Sequence, residues 1–532
     1  MFHFSTYLRT KSKNHAYADG IQNQPYFEED RQNSPGSAFL PMEACEIKPY
    51  QKIWLNRLKA EDQAAVIKHN ALPPYQRKQE IMRKLDSVID PKGDRFLNAL
   101  SISVSSKRMF VRGRVLNNPN IVFGDNLLVP VIGGEWNLRR KSFYRPATIP
   151  CWSVACFADP LELPKEGLKP FLEKLTKTAR RFGIKLSAWN NIDNVSYEQL
   201  PKFFKYLCKN DATYVLCVMP NRKDQNLRNQ IKYQGEVCYN VVTQCVLAET
   251  IVKAKAQTCD LLTLKMNAKN GGLNNEVSLP HPAVEKRIES RVMFIGLDVN
   301  HPPPLSKKEI ENHAVPQDPS VIGLVANSGK SADFKTQETE INSSKMTESV
   351  IDFLADYREN HECLPHSVIV YRDGVSESQY KMVLDEETIA IKKAFRRFKS
   401  YAPKLTVVVV HKRHHTRFFL ETVDMSLKSI GQNIPPGTVV DSGPVLPKMF
   451  DFFLCSHQGI QGTSKPTHYV VLYDENNLTA DTLQFVTYSL CCAYQKCPKS
   501  VSIPSPCYHA HHAAKRGKEL YHAFRWTYND DQ

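Results

Sequence analysis

Apolar and polar positions change rhythm three times along this 532-residue chain. Residues 1–40 show no period: they are polar and poor in aliphatics, with Gly, Asn, Gln, Ser and Pro gathered in 19–41. That composition predicts loose, irregular structure. Helical spacing follows over 50–69 and 74–89, then short strand-like runs at 99–105, 108–115 and 127–131, separated by turn residues. Pieces this short predict a connector with no large core of its own.

From about residue 146 the rhythm becomes β-α-β. The apolar run 151–157 reads as a buried strand. Pro164 opens a helix in which Leu168, Phe171, Leu172, Leu175, Ala179 and Phe182 keep helical spacing, and Gly183 ends it. A strand over 213–219 and helices over 224–233 and 260–270 complete a Rossmann-like α/β unit. A third region starts near Arg291, with strands at 292–299, 367–371, 406–411 and 468–473 and helices at 344–360, 387–398 and 479–494. The pattern as a whole predicts two α/β domains behind a linker, with no internal repeat.

Composition adds a partner class. Lys and Arg number 70 against 55 Asp and Glu, a net charge of +15, which points to a polyanion. A hydrophobic share of 42% with 23% charged residues excludes global disorder. No apolar run approaches the ~18 residues of a membrane span, and the N-terminus has no apolar leader segment, so no membrane association is expected. Fourteen Cys lack the spacing of a disulfide scaffold, which predicts a reducing cytoplasmic or nuclear setting.

Two carboxylates occupy strand ends, Asp298 in Phe294-Ile295-Gly296-Leu297-Asp298 and Asp373 in Val370-Tyr371-Arg372-Asp373-Gly374. Neighbouring strand ends let polar side chains converge, and two facing carboxylates call for a cation such as Mg²⁺ or Mn²⁺. The competing reading is that each Asp simply opens a turn. Histidines around His511, with Cys491, Cys492, Cys497 and Cys507, raise zinc, but the paired spacing of a zinc site is missing. Arg228 and Lys232 are four residues apart, as are Lys265 and Lys269, so each pair can share a helix face. A phosphate between the two helices, with Gln244 donating, would offset the like-charge repulsion; two solvated basic faces remain the alternative.

Four motifs then coincide. Gly296-Leu297-Asp298-Val299-Asn300-His301-Pro302, Tyr371-Arg372-Asp373-Gly374-Val375-Ser376-Glu377, His411-Lys412-Arg413-His414-His415-Thr416-Arg417 and Leu454-Cys455-Ser456-His457-Gln458-Gly459-Ile460-Gln461-Gly462-Thr463 follow in this order. Together they resemble the signature of the eukaryotic Argonaute family, over a stretch from about Leu40 to the C-terminus. The resemblance implies a PAZ remnant or irregular segment at 1–47 and a linker at 48–145. It further implies a Rossmann-like MID domain at 146–280 and an RNase H-like PIWI domain at 281–532. An N domain, most of PAZ and the family's final helix have no counterpart, so the resemblance implies part of a longer protein.

Residue by residue, Asp298 and Asp373 match the family's metal-binding aspartates and His511 its catalytic histidine. The family's glutamate falls on Glu340, with Glu338 as the alternative and an ungapped count landing on Ile341. Lys232, Gln244, Lys265 and Lys269 match the residues that bind a guide's 5′-phosphate, and Arg516 matches an arginine reaching the same place. Arg228 stands where the family has a Tyr that stacks on the first base. The implied function is small-guide-RNA binding in gene silencing, with Mg²⁺- or Mn²⁺-dependent slicing of a complementary target RNA. The alternative is a guide-loaded platform that recruits silencing proteins without cutting.

Overall fold

The computed structural model describes residues 58–88, 95–105, 107–221, 224–278, 291–305, 307–316, 318–327, 334–340 and 343–529, and four short strands within 1–47. The chain divides into two compact units, Met1–Leu72 and Pro73–Gln532. In the first, Leu8–Thr10 pairs with Cys45–Ile47 and Tyr26–Glu29 with Ala38–Pro41, both antiparallel. Its helix Ala60–Asn70 overlaps the helical period of 50–69 and runs one residue past it; residues 50–57 of that expectation lie outside the described residues.

The second unit holds both predicted α/β layers. Four parallel strands lie in the order Ile192–Asn194, Trp152–Cys156, Tyr214–Met219, Val242–Leu247. The two central strands are buried at every position, which is why their sequence reads as unbroken apolar runs rather than alternation. The helix Lys165–Arg181 covers one face, with Leu168, Phe171, Leu172 and Leu175 packed in the same core as Trp152 and Val154. The opposite face packs on Leu200–Lys209 and Gln225–Lys232. Asp224 caps the latter helix, its carboxylate accepting the Leu227 N–H at 2.9 Å.

A nine-stranded sheet among the described residues forms the second layer. Its order runs Phe334–Glu340, Val321–Asn327, Val292–Asn300, Ser367–Asp373, Lys404–His411, Thr467–Asp474, Phe450–Cys455, Thr438–Val440, Arg114–Val115. The three strands from Val292 to His411 are mutually parallel, and the outer pairings are antiparallel. Ile121, Phe123, Val129 and Trp136 of the connector bury themselves beside Tyr371, Phe452 and Tyr488 of this layer.

Two expectations fail here. Residues 99–105 form no strand: Ala99 closes the helix Arg95–Ala99, and Leu100 and Ile102 stay 68% and 49% exposed. Of 108–115, only Arg114–Val115 pairs, as the last strand of the large sheet. Apolar composition without a partner layer to bury it does not make a strand.

The helix Ser505–Asn529 crosses the antiparallel edge of the large sheet at backbone distance. Gly296 and Gly323 allow this. A Cβ on Gly296 would sit 2.1 Å from the Pro506 carbonyl, and one on Gly323 would sit 2.1 Å from the Ala510 carbonyl oxygen. Ala510 and Ala513 complete the contact with Val325. Gly323→Ala is therefore expected to destabilise the protein by about 1–3 kcal/mol in urea unfolding, as overpacking does. Gly167→Ala, in a helix where the new methyl meets only Leu163 at 3.8 Å, should be neutral or stabilising. Equal effects of the two substitutions would refute the close-approach account.

Candidate active site and phosphate pocket

Asp298 and Asp373 come from adjacent parallel strands, in which Leu297 is the partner of Arg372. Asp373 is the last residue of its strand and 3% exposed; Asp298 is 7% exposed. The helix that Gly296 and Gly323 admit brings His511 over this point, where its Nδ1 lies 2.8 Å from Asp298 Oδ2. Asp298 also accepts the Val299 N–H at 2.8 Å. The three residues picked from sequence are thus assembled by two strand ends and one helix.

A fourth group joins them. Lys412, the residue after the strand Lys404–His411, ion-pairs with Asp373 Oδ2 at 2.5 Å. Burial pushes the Asp298 carboxyl up, but the His511 hydrogen bond and the His511 and Lys412 charges outweigh it and leave it below its usual range. Asp373 moves the other way: burial raises it, Asp298 adds to the rise, and Lys412 only partly opposes them. Burial lowers the Lys412 ammonium, and the Asp373 charge more than reverses that.

Among the described residues, no three His, Cys, Asp or Glu side chains form a ready-made metal cluster. The donor set still fits a hard divalent ion. Asp298 and Asp373 act on each other and His511 bonds Asp298, and burial, reinforced by the Asp298 charge, raises Asp373 even with Lys412 present, so a cation there would be favoured. Glu340 lies in the edge strand Phe334–Glu340, its backbone opposite Val321. Its side chain and that of Glu338, like Ile341, fall outside the described residues. Cys491, Cys492 and Cys507 are buried core residues.

The second cluster lies where the helix Gln225–Lys232 meets the far part of Ser505–Asn529. Lys232 donates to Glu236 Oε1 at 3.0 Å, to the Thr243 carbonyl at 2.8 Å and to the Thr243 hydroxyl. Lys269, last residue of the helix Ala256–Lys269, donates to the same carbonyl at 2.9 Å. Arg516 meets Glu236 Oε2 at 2.7 Å. Lys265 acts on Lys496, which in turn feels Arg516 and Lys232.

Four cations, Lys232, Lys269, Lys496 and Arg516, therefore act on one carboxylate, and Lys265 stands behind Lys496. Burial first, then Lys232, drives the Lys269 ammonium well below its ordinary value. Burial followed by Lys265, Arg516 and Lys232 lowers Lys496. Burial raises the Glu236 carboxyl, but Lys232 and Arg516 overcome it and keep the group below its usual range. Gln244 is 7% exposed; its amide donates to the Cys245 carbonyl at 2.9 Å, and its Oε1 has no hydrogen-bond partner. Such a site is undersupplied with negative charge.

Arg228 points elsewhere. It ion-pairs with Glu519 at 3.4 Å and lines a cavity of about 240 Å³ with Gln225, Cys245 and Leu247. Sequence reasoning missed Lys412, Glu236 and Lys496. Lys412 sat inside a quoted motif, and Glu236 lies one helical turn after Lys232. Nothing around Lys496 marks it.

Comparison with known proteins adds a lineage. Residues 214–522 match the Piwi domain and 130–210 the Mid domain of argonaute. Protein tag-76 of Caenorhabditis elegans is 34% identical over 506 residues, 90% of this chain and 47% of that protein. The chain thus spans about half the length of this curated relative. The crystal structure of Drosophila Piwi superposes with a TM-score of 0.72 at 23% identity, covering 91% of this chain and 63% of that one. Kluyveromyces polysporus Argonaute with a guide RNA gives 0.76 at 22%, covering 92% and 58%. These likenesses identify the parallel sheet as Rossmann-like and the large sheet as RNase H-like.

Proposed function

This chain belongs to the Argonaute family through its Mid and Piwi domains, and we propose that it binds a small guide RNA by its 5′-phosphate and pairs that guide with a complementary RNA. One observation carries the reading: the surplus of Lys232, Lys269, Lys496 and Arg516 around the buried Glu236 carboxylate, with Lys265 beside Lys496. A terminal phosphate brings roughly two negative charges and several acceptor oxygens to such a place. Glu236 holds the cations together until then, and the Lys232 and Lys269 ammonium groups both donate to the Thr243 carbonyl. With the guide end fixed, pairing selects the target, and the protein reads only backbone and A-form shape.

The activity proposed for the Piwi domain is cutting of the paired target. Asp298, Asp373 and His511 would hold Mg²⁺ or Mn²⁺, which when bound supplies charge for activating a water and for stabilising a leaving 3′-oxygen. Glu340 is the proposed further acidic residue. Asp298 keeps its charge because His511 hydrogen-bonds it, and His511 is positioned by the helix seated on Gly296. Lys412 neutralises Asp373 and is exposed enough, at 35%, to swing aside.

The same Lys412 contact favours a second reading, a guide-loaded platform that recruits silencing proteins in the cytoplasm or nucleus without cutting. A single-turnover assay decides: load a 5′-phosphorylated guide, add complementary RNA with Mg²⁺, and look for one cut opposite the guide. Cutting is expected to vanish without guide. A protein that retains guide yet never cuts is a platform, and one that prefers 5′-hydroxyl RNA refutes the phosphate reading.

A further inference from the structure

Two thiols stand side by side in the Rossmann-like sheet. Cys217 and Cys245 are register partners on the parallel strands Tyr214–Met219 and Val242–Leu247, and their sulfurs are in hydrogen-bonding contact. Neighbouring strands lie ~4.8 Å apart, within the ~4.4–6.8 Å Cα separation that a disulfide bridges. Cys217 is fully buried, whereas Cys245 is partly exposed and lines the cavity shared by Arg228, Gln225 and Leu247.

The surroundings of Cys245 are those of a nucleophile. The hydrogen bond from Cys217 lowers its thiol below the ordinary range, against burial, and Lys232, Lys269 and Arg228 pull the same way. Cys217 is pushed well up, chiefly by burial. Lys232 and Lys269 act on both sulfurs, and Arg228, which shares the cavity, acts on Cys245 as well. More exposed thiols lack this arrangement: burial raises Cys238, and Cys208 lies at the end of the helix Leu200–Lys209 rather than on a strand paired with a second thiol.

We propose that Cys245 is a thiol-modification site, taking soft electrophiles and hydroperoxides, with Cys217 as its resolving partner. With a hydroperoxide, the Cys245 sulfur attacks the outer peroxide oxygen. The O–O bond breaks, the departing oxyanion takes a proton, and the sulfur, oxidised by two electrons, becomes a sulfenic acid. The Cys217 sulfur then attacks Cys245, forming the S–S bond, and the displaced hydroxide leaves as water with the Cys217 proton. With an alkylating agent, the thiolate displaces the leaving group and the adduct fills the cavity beside Arg228. Cys245 feels the charges of Lys232 and Lys269 of the cation cluster, so, resting on the guide-binding reading, an adduct there shuts out the guide's 5′ end; the thiol chemistry itself does not depend on that reading.

The test uses the full chain in its native state. Under limiting iodoacetamide at neutral pH, peptide mass spectrometry should find Cys245 labelled roughly tenfold faster than Cys208 and Cys238. Labelling ordered by exposure, with Cys208 and Cys238 first, overturns the proposal. Limiting hydrogen peroxide should give the 217–245 disulfide, and Cys217→Val should instead accumulate oxidised Cys245. Sulfinic acid at Cys245 with no disulfide in the unsubstituted chain overturns the resolving role. Binding of 5′-phosphorylated RNA is then compared before and after N-ethylmaleimide. Loss on labelling supports the regulatory link, and undiminished binding by fully labelled protein overturns it. Labelled Cys245 in a reduced protein that binds no RNA upholds the thiol site and refutes the guide reading alone.

Discussion

Lys232→Ala is expected to weaken binding of 5′-phosphorylated RNA by about one to two orders of magnitude, the worth of a charge-assisted hydrogen bond at roughly 1.5–3 kcal/mol. The same RNA with a 5′-hydroxyl should bind equally well to both proteins. The contrast follows from geometry. Lys232 is 9% exposed and held by Glu236 and Thr243, so it cannot track a moving RNA backbone. Its removal leaves Glu236 paired with Arg516, which keeps the carboxylate from becoming an uncompensated buried charge. Fluorescence anisotropy with the two RNAs over a salt series measures both losses. A uniform loss on both RNAs would make Lys232 a general backbone contact. Adding Lys269→Ala should cost less than the sum of the single changes, because the two lysines share the Thr243 carbonyl.

Asp373→Asn is expected to reduce guided cutting by at least ~100-fold, the scale on which a preorganised electrostatic group contributes, without altering guide affinity. The substitution is nearly isosteric at a 3% exposed position, so the strand end keeps its shape. Its electrical effect is large. Asn removes one of two carboxylates facing each other and frees Lys412, whose exposed portion can take its charge to solvent. Single-turnover rates with a preloaded guide provide the measurement. Unchanged rates would remove Asp373 from the reaction, and an equal fall in guide affinity would point to misfolding of the sheet.

Much of this site could be read from the sequence because its parts lie on the most legible elements. The strands Val292–Asn300 and Ser367–Asp373 are buried almost throughout, so their apolar runs end visibly at the polar residues that matter. The strands next to each edge were not visible. Val321–Asn327 contains glycine and alanine, and Thr438–Val440 is three residues long. Both are specified by partners distant in sequence. The helix Ser505–Asn529 was hidden for another reason: it packs through alanines against glycines, a contact made by missing side chains rather than by large apolar ones. Lys496 joins the cations only because the chain returns there some 260 residues after Lys232. No local pattern encodes such a return.

That helix has a thermodynamic consequence. His511 and Arg516 are five residues apart, about 7.5 Å of rise, so a single rod carries the imidazole on Asp298 and the guanidinium on Glu236. Gln230 adds a hydrogen bond to the Ala523 carbonyl at 3.0 Å farther along. Any anion that binds Arg516 in the folded helix adds to the free energy of unwinding it. At a hundred times the dissociation constant this addition is about 2.7 kcal/mol. Amide protons around His511 would then exchange more slowly although no ligand touches them. Occupancy at the Glu236 cluster would be written in the opening equilibrium around Asp298 and His511.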